Sequence, residues 1–298
     1  EVMPPMEFSG GFSWGYNLAL PFAIEGEYGG PKAFKAFVNA AHQHGIAVIL
    51  DVVYNHFGPS DLDLWRFDGW HEDDYGGIYF YNDYRAETPW GKTRPDYGRD
   101  EVRQYLRDNA LMWITEYHVD GLRWDMTSYI RDVDGAKGGG GGEIPDGWSL
   151  MQWVNEELHG EQPAVLTIAE DLRQNDAITA DVADEGAGFG SQWAPRFAHR
   201  VRPALISGDD EKRDLSKIRD AVEDQLGGDA FDRIIYIESH DEVANGQARI
   251  AEEIWPGNAR SWFSKKRSTL GAALVFTAPG IPMIFQGQEF MEERWFDD

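Results

Sequence analysis

The sequence predicts an α/β fold, with parallel strands closed into a barrel, and three observations carry that reading. Three hydrophobic strands run into acids: Gly121-Leu-Arg-Trp-Asp125, Leu166-Thr-Ile-Ala-Glu170-Asp171 and Tyr236-Ile-Glu-Ser-His240-Asp241. Long segments of helical periodicity lie between them. The acids fall at strand C-termini, the end at which a parallel barrel carries its site. Side chains alternate along a strand, so Gly121, Arg123 and Asp125 share one face, and Leu122, Trp124 and Met126 the other. A buried salt bridge is the plainer reading of Arg123 and Asp125 alone. Two further acidic strand ends reduce its weight.

Composition bounds the rest. The 298 residues are 42% hydrophobic, enough for one large core in a single barrel domain over 1–298. No run of apolar residues is long enough to span a membrane. Glu1-Val-Met-Pro-Pro5 has neither a basic start nor an apolar stretch, so no signal peptide is visible and the expectation is a cytoplasmic protein. With no cysteine, disulfides and thiolate metal sites are excluded. The net charge of -25 repels nucleic acid and anionic membranes. A neutral substrate suits it better, although much of the acid reads as solvated surface. Of the aromatics (12 Trp, 12 Tyr, 16 Phe), many fall in glycine-rich loops where a core role is less natural.

In chain order, residues 1–30 read as loop after the tail of a strand at 1–4. Pro31 opens a helix as proline does at a first helical position, with Phe34, Phe37, Val38 and Ala41 as its apolar stripe and Gly45 its end. Ile46 to Val53 is a buried strand running into Asp51-Val-Val-Tyr-Asn55-His56. Residues 57–99 form a long excursion, a length usually reserved for function. Asp100 is expected to cap a helix buried through Val102, Leu106, Ala110, Trp113 and Tyr117. Gly138 to Gly142 reads as a flexible loop. Ser149-Leu-Met-Gln152 fits a capping box, with the helix continuing through Val154 and Leu158 to Gly160. Val165 to Glu170 is the next strand, and Gly186 to Trp193 holds a short one. Residues 214–226 read as helix, Arg233 to Ser239 as strand, Ser261 to Phe276 as helix, and Pro282 to Gly287 as the last strand. Six strands plus one tail leave an eight-stranded barrel lacking its first strand and most of its second.

Asp125, Glu170 and Asp241 are then candidate partners at one mouth, with Asp51, Asn55, His56, Arg123 and His240 as polar neighbours. Two carboxyls flanking a bond are the equipment for glycoside hydrolysis or transfer. One attacks the anomeric carbon. The other must be protonated, its pKa raised by burial and nearby negative charge. Arg123 should do the reverse for Asp125 and keep it ionised. Histidines offer hydrogen bonds to sugar hydroxyls, and Trp and Tyr offer flat apolar faces. A divalent metal is the competing use of clustered carboxylates. The arginine and histidines would compete with it, so no metal and no cofactor is assigned.

Four segments resemble the signatures of the α-amylase superfamily, glycoside hydrolase family 13, in the family's order. They are Asp51-Val-Val-Tyr-Asn-His56, Gly121-Leu-Arg-Trp-Asp125, Ala169-Glu170-Asp171 and Ser239-His-Asp241. Any one is weak, and four in order are specific. The resemblance runs from Trp14-Gly-Tyr16 to Phe285-Gln-Gly287. It implies a TIM (β/α)8 barrel and a retaining mechanism on α-glucosidic bonds. It also implies Asp125 as nucleophile, Glu170 as general acid/base and Asp241 as stabiliser of the transition state. Tyr16, Asp51, His56, Arg123 and His240 match positions around the sugar in the cleavage subsite. Ser239-His-Asp-Glu-Val243, Ala169-Glu-Asp171, Trp14-Gly-Tyr-Asn17 and Asp96-Tyr-Gly-Arg-Asp-Glu-Val-Arg103 are most like 1,4-α-glucan branching enzymes. Ala244-Asn245-Gly246 and Trp124-Asp125-Met126 depart from the branching pattern and leave linkage specificity open. The implied substrate is an α-glucan and the implied reaction is α-1,6 branch formation. An α-1,4-glucan hydrolase, of α-amylase or trehalose-releasing type, and a binding-only fragment are the alternatives.

Overall fold

The computed structural model describes residues 1–58, 64–136, 142–224 and 226–297, and the chain divides into two compact units, Glu1–Gly190 and Ser191–Asp298. Gly138–Gly141 of the five-glycine run lie outside the described residues. Among the described residues no helix is long and apolar enough to cross a membrane.

In the first unit a hairpin of β1 (Met6–Phe8) and β2 (Leu18–Ile24) precedes α1 (Gly30–Gln43). The hairpin corrects the expectation of loop over 1–30. Its alternation is short and broken by Pro21 and glycines, yet Met6, Phe8, Leu18 and Ile24 are all buried. α1 buries Phe34 and Val38, but Phe37 is exposed, so its apolar face is narrower than the stripe predicted. β3 (Ile49–Val52), β4 (Gly121–Trp124) and β5 (Leu166–Ala169) pair in parallel, in that order. Ile46 is exposed and outside β3. The expected strand tail is a single parallel bridge from Val2 to Leu50.

The helices between these strands are α2 (Asp100–Thr115), α3 (Thr127–Arg131) and α4 (Pro145–Glu161). Two predicted caps are corrected. Arg99, in extended backbone, precedes α2 without a side-chain cap, and Asp100 lies in the first turn, where its charge suits the helix dipole. α4 starts at Pro145, so Ser149 sits inside it, donating to the Asp146 carbonyl instead of capping. The buried stripe of α2 holds Val102, Leu106, Ala110 and Trp113 as the spacing predicts. Gly147 of α4 faces the backbone of α3: a β-carbon there would lie 1.9 Å from the Ile130 carbonyl oxygen. Gly147→Ala is therefore expected to cost about 1–3 kcal/mol or more, read as a lower denaturation midpoint in thermal or urea unfolding.

In the second unit β6 (Ser191–Trp193), β7 (Arg233–Ile235) and β8 (Ile281–Pro282) pair in parallel. α5 (Pro195–Ile206), α6 (Leu215–Glu223), α7 (Ile250–Ile254) and α8 (Trp262–Thr277) pack a core that includes Phe197, Val201, Leu205, Ile235, Ile237 and Val275. Both β7 and β8 are shorter than predicted. Tyr236 to Ser239 stay buried beyond β7 without continuing the ladder. α5 is absent from the sequence reading, although proline at its start and Phe197, Val201 and Leu205 at helical spacing signal it.

Candidate active site

Strand register builds the site. Asp51 of β3 lies level with Arg123 of β4, and Val52 and Ala169 both lie level with Trp124. Asp125 and Glu170 each follow one residue beyond that level, at the C-terminal ends of β4 and β5. Trp124, pointing away, is locked between Tyr54 and Phe189 with ring centroids 4.8 and 5.5 Å away. Its packing fixes the turn at which Asp125 emerges. Met126, the next residue, takes a left-handed backbone (φ 44°), a strained conformation for a side chain of this size.

Arg123 is fully buried and is the hub. Its Nη1 donates to Asp51 Oδ2 at 2.5 Å, Asp125 Oδ1 at 3.2 Å and Tyr16 Oη at 3.3 Å. Its Nη2 lies 2.6 Å from Glu170 Oε2. The Tyr16 hydroxyl donates to Asp51 Oδ2 at 2.5 Å. Glu170 Oε2 also accepts from Met126 N at 3.1 Å. Burial opposes the Arg123 charge, but Asp51 and Glu170 outweigh it and hold the guanidinium protonated well above its ordinary range. Burial, reinforced by Asp51, likewise raises the Tyr16 hydroxyl well above its usual value, so Tyr16 stays a neutral donor.

Asn55, also fully buried, binds Asp125 from the other side: Nδ2 donates to Oδ2 at 2.7 Å and to the backbone carbonyl at 2.9 Å. With Nδ2 so engaged, Asn55 Oδ1 faces His56 Nδ1 at 2.5 Å, and Nδ1 donates. The His56 ring stacks on Trp90, with centroids 4.4 Å apart and 12° between planes. Burial, aided by Arg94 and opposed by the Tyr16 carbonyl, takes His56 down to about 3, so it is neutral near physiological pH.

The expectation that Arg123 keeps Asp125 ionised is corrected. Burial pushes Asp125 well above the usual carboxylate range, with Glu170 and Asp51 adding to it, and Arg123 and Asn55 only partly offset the rise. Glu170 Oε2 pairs with the Arg123 guanidinium and accepts from the Met126 amide. Sequence spacing places Arg123 beside Asp125 but does not show one guanidinium shared among three carboxyls.

The first unit thus brings together Tyr16, Asp51, His56, Arg123, Asp125 and Glu170. His240 and Asp241 belong to the second unit, beyond β7, with His240 Nε2 3.2 Å from Asp241 Oδ2. His240 is buried beside Trp193 and the Asp241 side chain is 42% exposed. Asn245 donates to Asp241 Oδ1 at 3.3 Å. Sequence reasoning missed Trp90, whose only signal was a Pro-Trp-Gly turn in the excursion. It also missed Arg131, which grips Asp171 through Nε at 2.7 Å and Nη2 at 3.0 Å and so braces the residue after Glu170.

Known proteins bear on this geometry. The model of the α-amylase catalytic domain matches residues 4–64 and 62–295. The chain is 33% identical over 316 residues to the 1,4-alpha-glucan branching enzyme GlgB of Pseudoalteromonas atlantica, covering 100% of this chain and 41% of that protein. It is 31% identical to a malto-oligosyltrehalose trehalohydrolase of Saccharolobus solfataricus, covering 99% of this chain and 52% of that one. The solved pullulanase of Anoxybacillus sp. LM18-11 with maltotetraose superposes with a TM-score of 0.70 at 25% identity, over 98% of this chain and 44% of that chain. The chain spans between two fifths and about half the length of these relatives. Their fold is the α-amylase-type α/β barrel predicted from the acidic strand ends. The chain belongs to the α-amylase catalytic-domain family, glycoside hydrolase family 13.

Proposed function

We propose that this chain carries the catalytic machinery for retaining glycosyl transfer on α-1,4-glucans, with α-1,6 branch formation as the outcome. The observation that carries this reading is the single guanidinium of Arg123 touching both Asp125 and Glu170. Two carboxyls that share one small cation are close, and close carboxyls suit the retaining pathway rather than the wider inverting one.

In the proposed first step Asp125 attacks the anomeric carbon, and the bond from that carbon to the leaving glucan oxygen breaks. Glu170 gives its proton to that oxygen. In the second step Glu170 takes a proton from a glucan 6-hydroxyl, whose oxygen displaces Asp125 and forms the branch. By the resemblance, Asp241 is assigned as stabiliser of the transition state, and Tyr16, Asp51, His56, Arg123 and His240 to the surroundings of the sugar being cleaved. The acid role requires Glu170 Oε2 to exchange the Arg123 and Met126 donors for the glycosidic oxygen. Glu170→Gln should therefore lose about 10²–10⁴-fold on amylose. It should lose much less on α-glucosyl fluoride, whose leaving group needs no proton. Equal losses on both substrates, in steady-state assays, would remove Glu170 from the acid role.

Hydrolysis is the second reading, favoured by the trehalohydrolase relative at nearly the same identity as the branching enzyme. It differs only in the acceptor, water in place of a 6-hydroxyl, and in how well the acceptor side excludes water. Product analysis on amylose separates the two. New α-1,6 linkages with few new reducing ends support transfer. Reducing ends without α-1,6 linkages support hydrolysis.

A further inference from the structure

We infer that Asn55 is a positioning residue for the nucleophile, presenting one oxygen of Asp125 while Arg123 holds the other. The inference rests on the proposed role of Asp125. Three observations support it. Asn55 is fully buried, yet its side chain bonds almost wholly to the site: Nδ2 to Asp125 Oδ2 and backbone carbonyl, Oδ1 to His56. The two carboxylate oxygens are separately held, Oδ1 by Arg123 Nη1 and Oδ2 by Asn55 Nδ2, so the carboxyl plane has one orientation. The far end of Asn55 is itself fixed, because His56 is clamped flat against Trp90.

Trp90 sits in a tight turn closed by Thr88 and Gly91, and Thr93 beyond it exchanges a backbone bond with Phe57. A mechanical chain thus runs from the Thr88–Gly91 turn through Trp90, His56 and Asn55 to Asp125. A buried amide that donates to one carboxylate oxygen favours the ionised form, and its second bond, to the backbone carbonyl of the same residue, fixes the approach line. The other groups facing Asp125 are the cation Arg123, the carboxyls Glu170 and Asp51, and the Tyr16 hydroxyl. Asn55 is therefore the neutral donor that opposes the rise those two carboxyls cause, without adding charge.

The test compares the protein carrying wild-type Asn55 with Asn55→Ala and the isosteric Asn55→Asp, on maltotetraose and amylose. Asp125→Asn is run beside them. The expected result is a fall in kcat of about 10–10³-fold, with KM within about threefold, the scale of losing one placed donor. The acid limb of the pH dependence of kcat/KM should also move up in Asn55→Ala and further in Asn55→Asp, which sets a second anion against Asp125. Folded variants with the acid limb at the wild-type position, or with kcat within threefold, would overturn the inference. If Asn55→Ala does not fold, the isosteric variant decides. An Asp125→Asn protein as active as wild type would instead overturn the assignment of Asp125, whatever the Asn55 variants do.

Discussion

Asp125→Asn is expected to leave a folded protein with turnover on α-glucans reduced by on the order of 10⁴–10⁶-fold, the scale of deleting a covalent nucleophile. The amide is nearly isosteric and keeps an oxygen for Arg123, so cooperative unfolding should persist and the loss should lie in kcat. With Asp125 in the proposed role, its raised pKa is expected to set the acid side of the wild-type pH profile. Attack needs the ionised form, so activity should rise with pH through a value above the ordinary carboxylate range. The sign for stability is opposite. A carboxyl whose folded pKa is raised costs nothing below its unfolded value. Its cost grows as pH rises between the two values and is complete above the folded one. Titration of unfolding free energy by urea at a series of pH values reads this slope directly.

Arg123→Met is expected to be the most destabilising single change at the site, by about 3–5 kcal/mol at neutral pH. It removes the buried cation shared by Asp51, Asp125 and Glu170 and leaves three buried carboxyls facing one another. Each then folds more easily protonated, so their folded pKa values rise. The deficit should shrink as pH falls towards the unfolded carboxylate range, and thermal midpoints of variant and wild type should converge there. A midpoint deficit that is constant with pH would assign the loss to packing of the arginine stem rather than to its charge.

How much of this was legible in the sequence follows from what kind of signal each feature carries. Strands β4 and β5 are largely apolar runs followed by acids, and period and chemistry agree, so both their existence and the end that carries the site could be read. Ends were harder, because burial continues past the ladder: Tyr236 to Ser239 are as apolar or enclosed as β7 itself. Cap chemistry misled at Asp100 and Ser149, where a capping residue type sits inside a helix whose cap position lies before it, at Arg99 and Ile144. The β1–β2 hairpin was hidden by glycines and Pro21. At the site, residue identities came from four motifs in order, but their electrostatics did not. Whether Arg123 or burial wins at Asp125 depends on how many carboxyls share the arginine, a three-dimensional count that no spacing reports.

The central claim is that Asp125 forms a covalent bond to the sugar, and trapping that bond tests it most directly. The protein would be incubated with a fluorinated α-glucosyl fluoride, which slows the second step more than the first. It would then be quenched in acid, digested and mapped by mass spectrometry. A single fluoroglucosyl adduct on the peptide containing Gly121-Leu-Arg-Trp-Asp125, placed on Asp125 by fragmentation and absent from Asp125→Asn, is the predicted result. An adduct on Glu170, or turnover of α-glucans with inversion at the anomeric carbon, would contradict it.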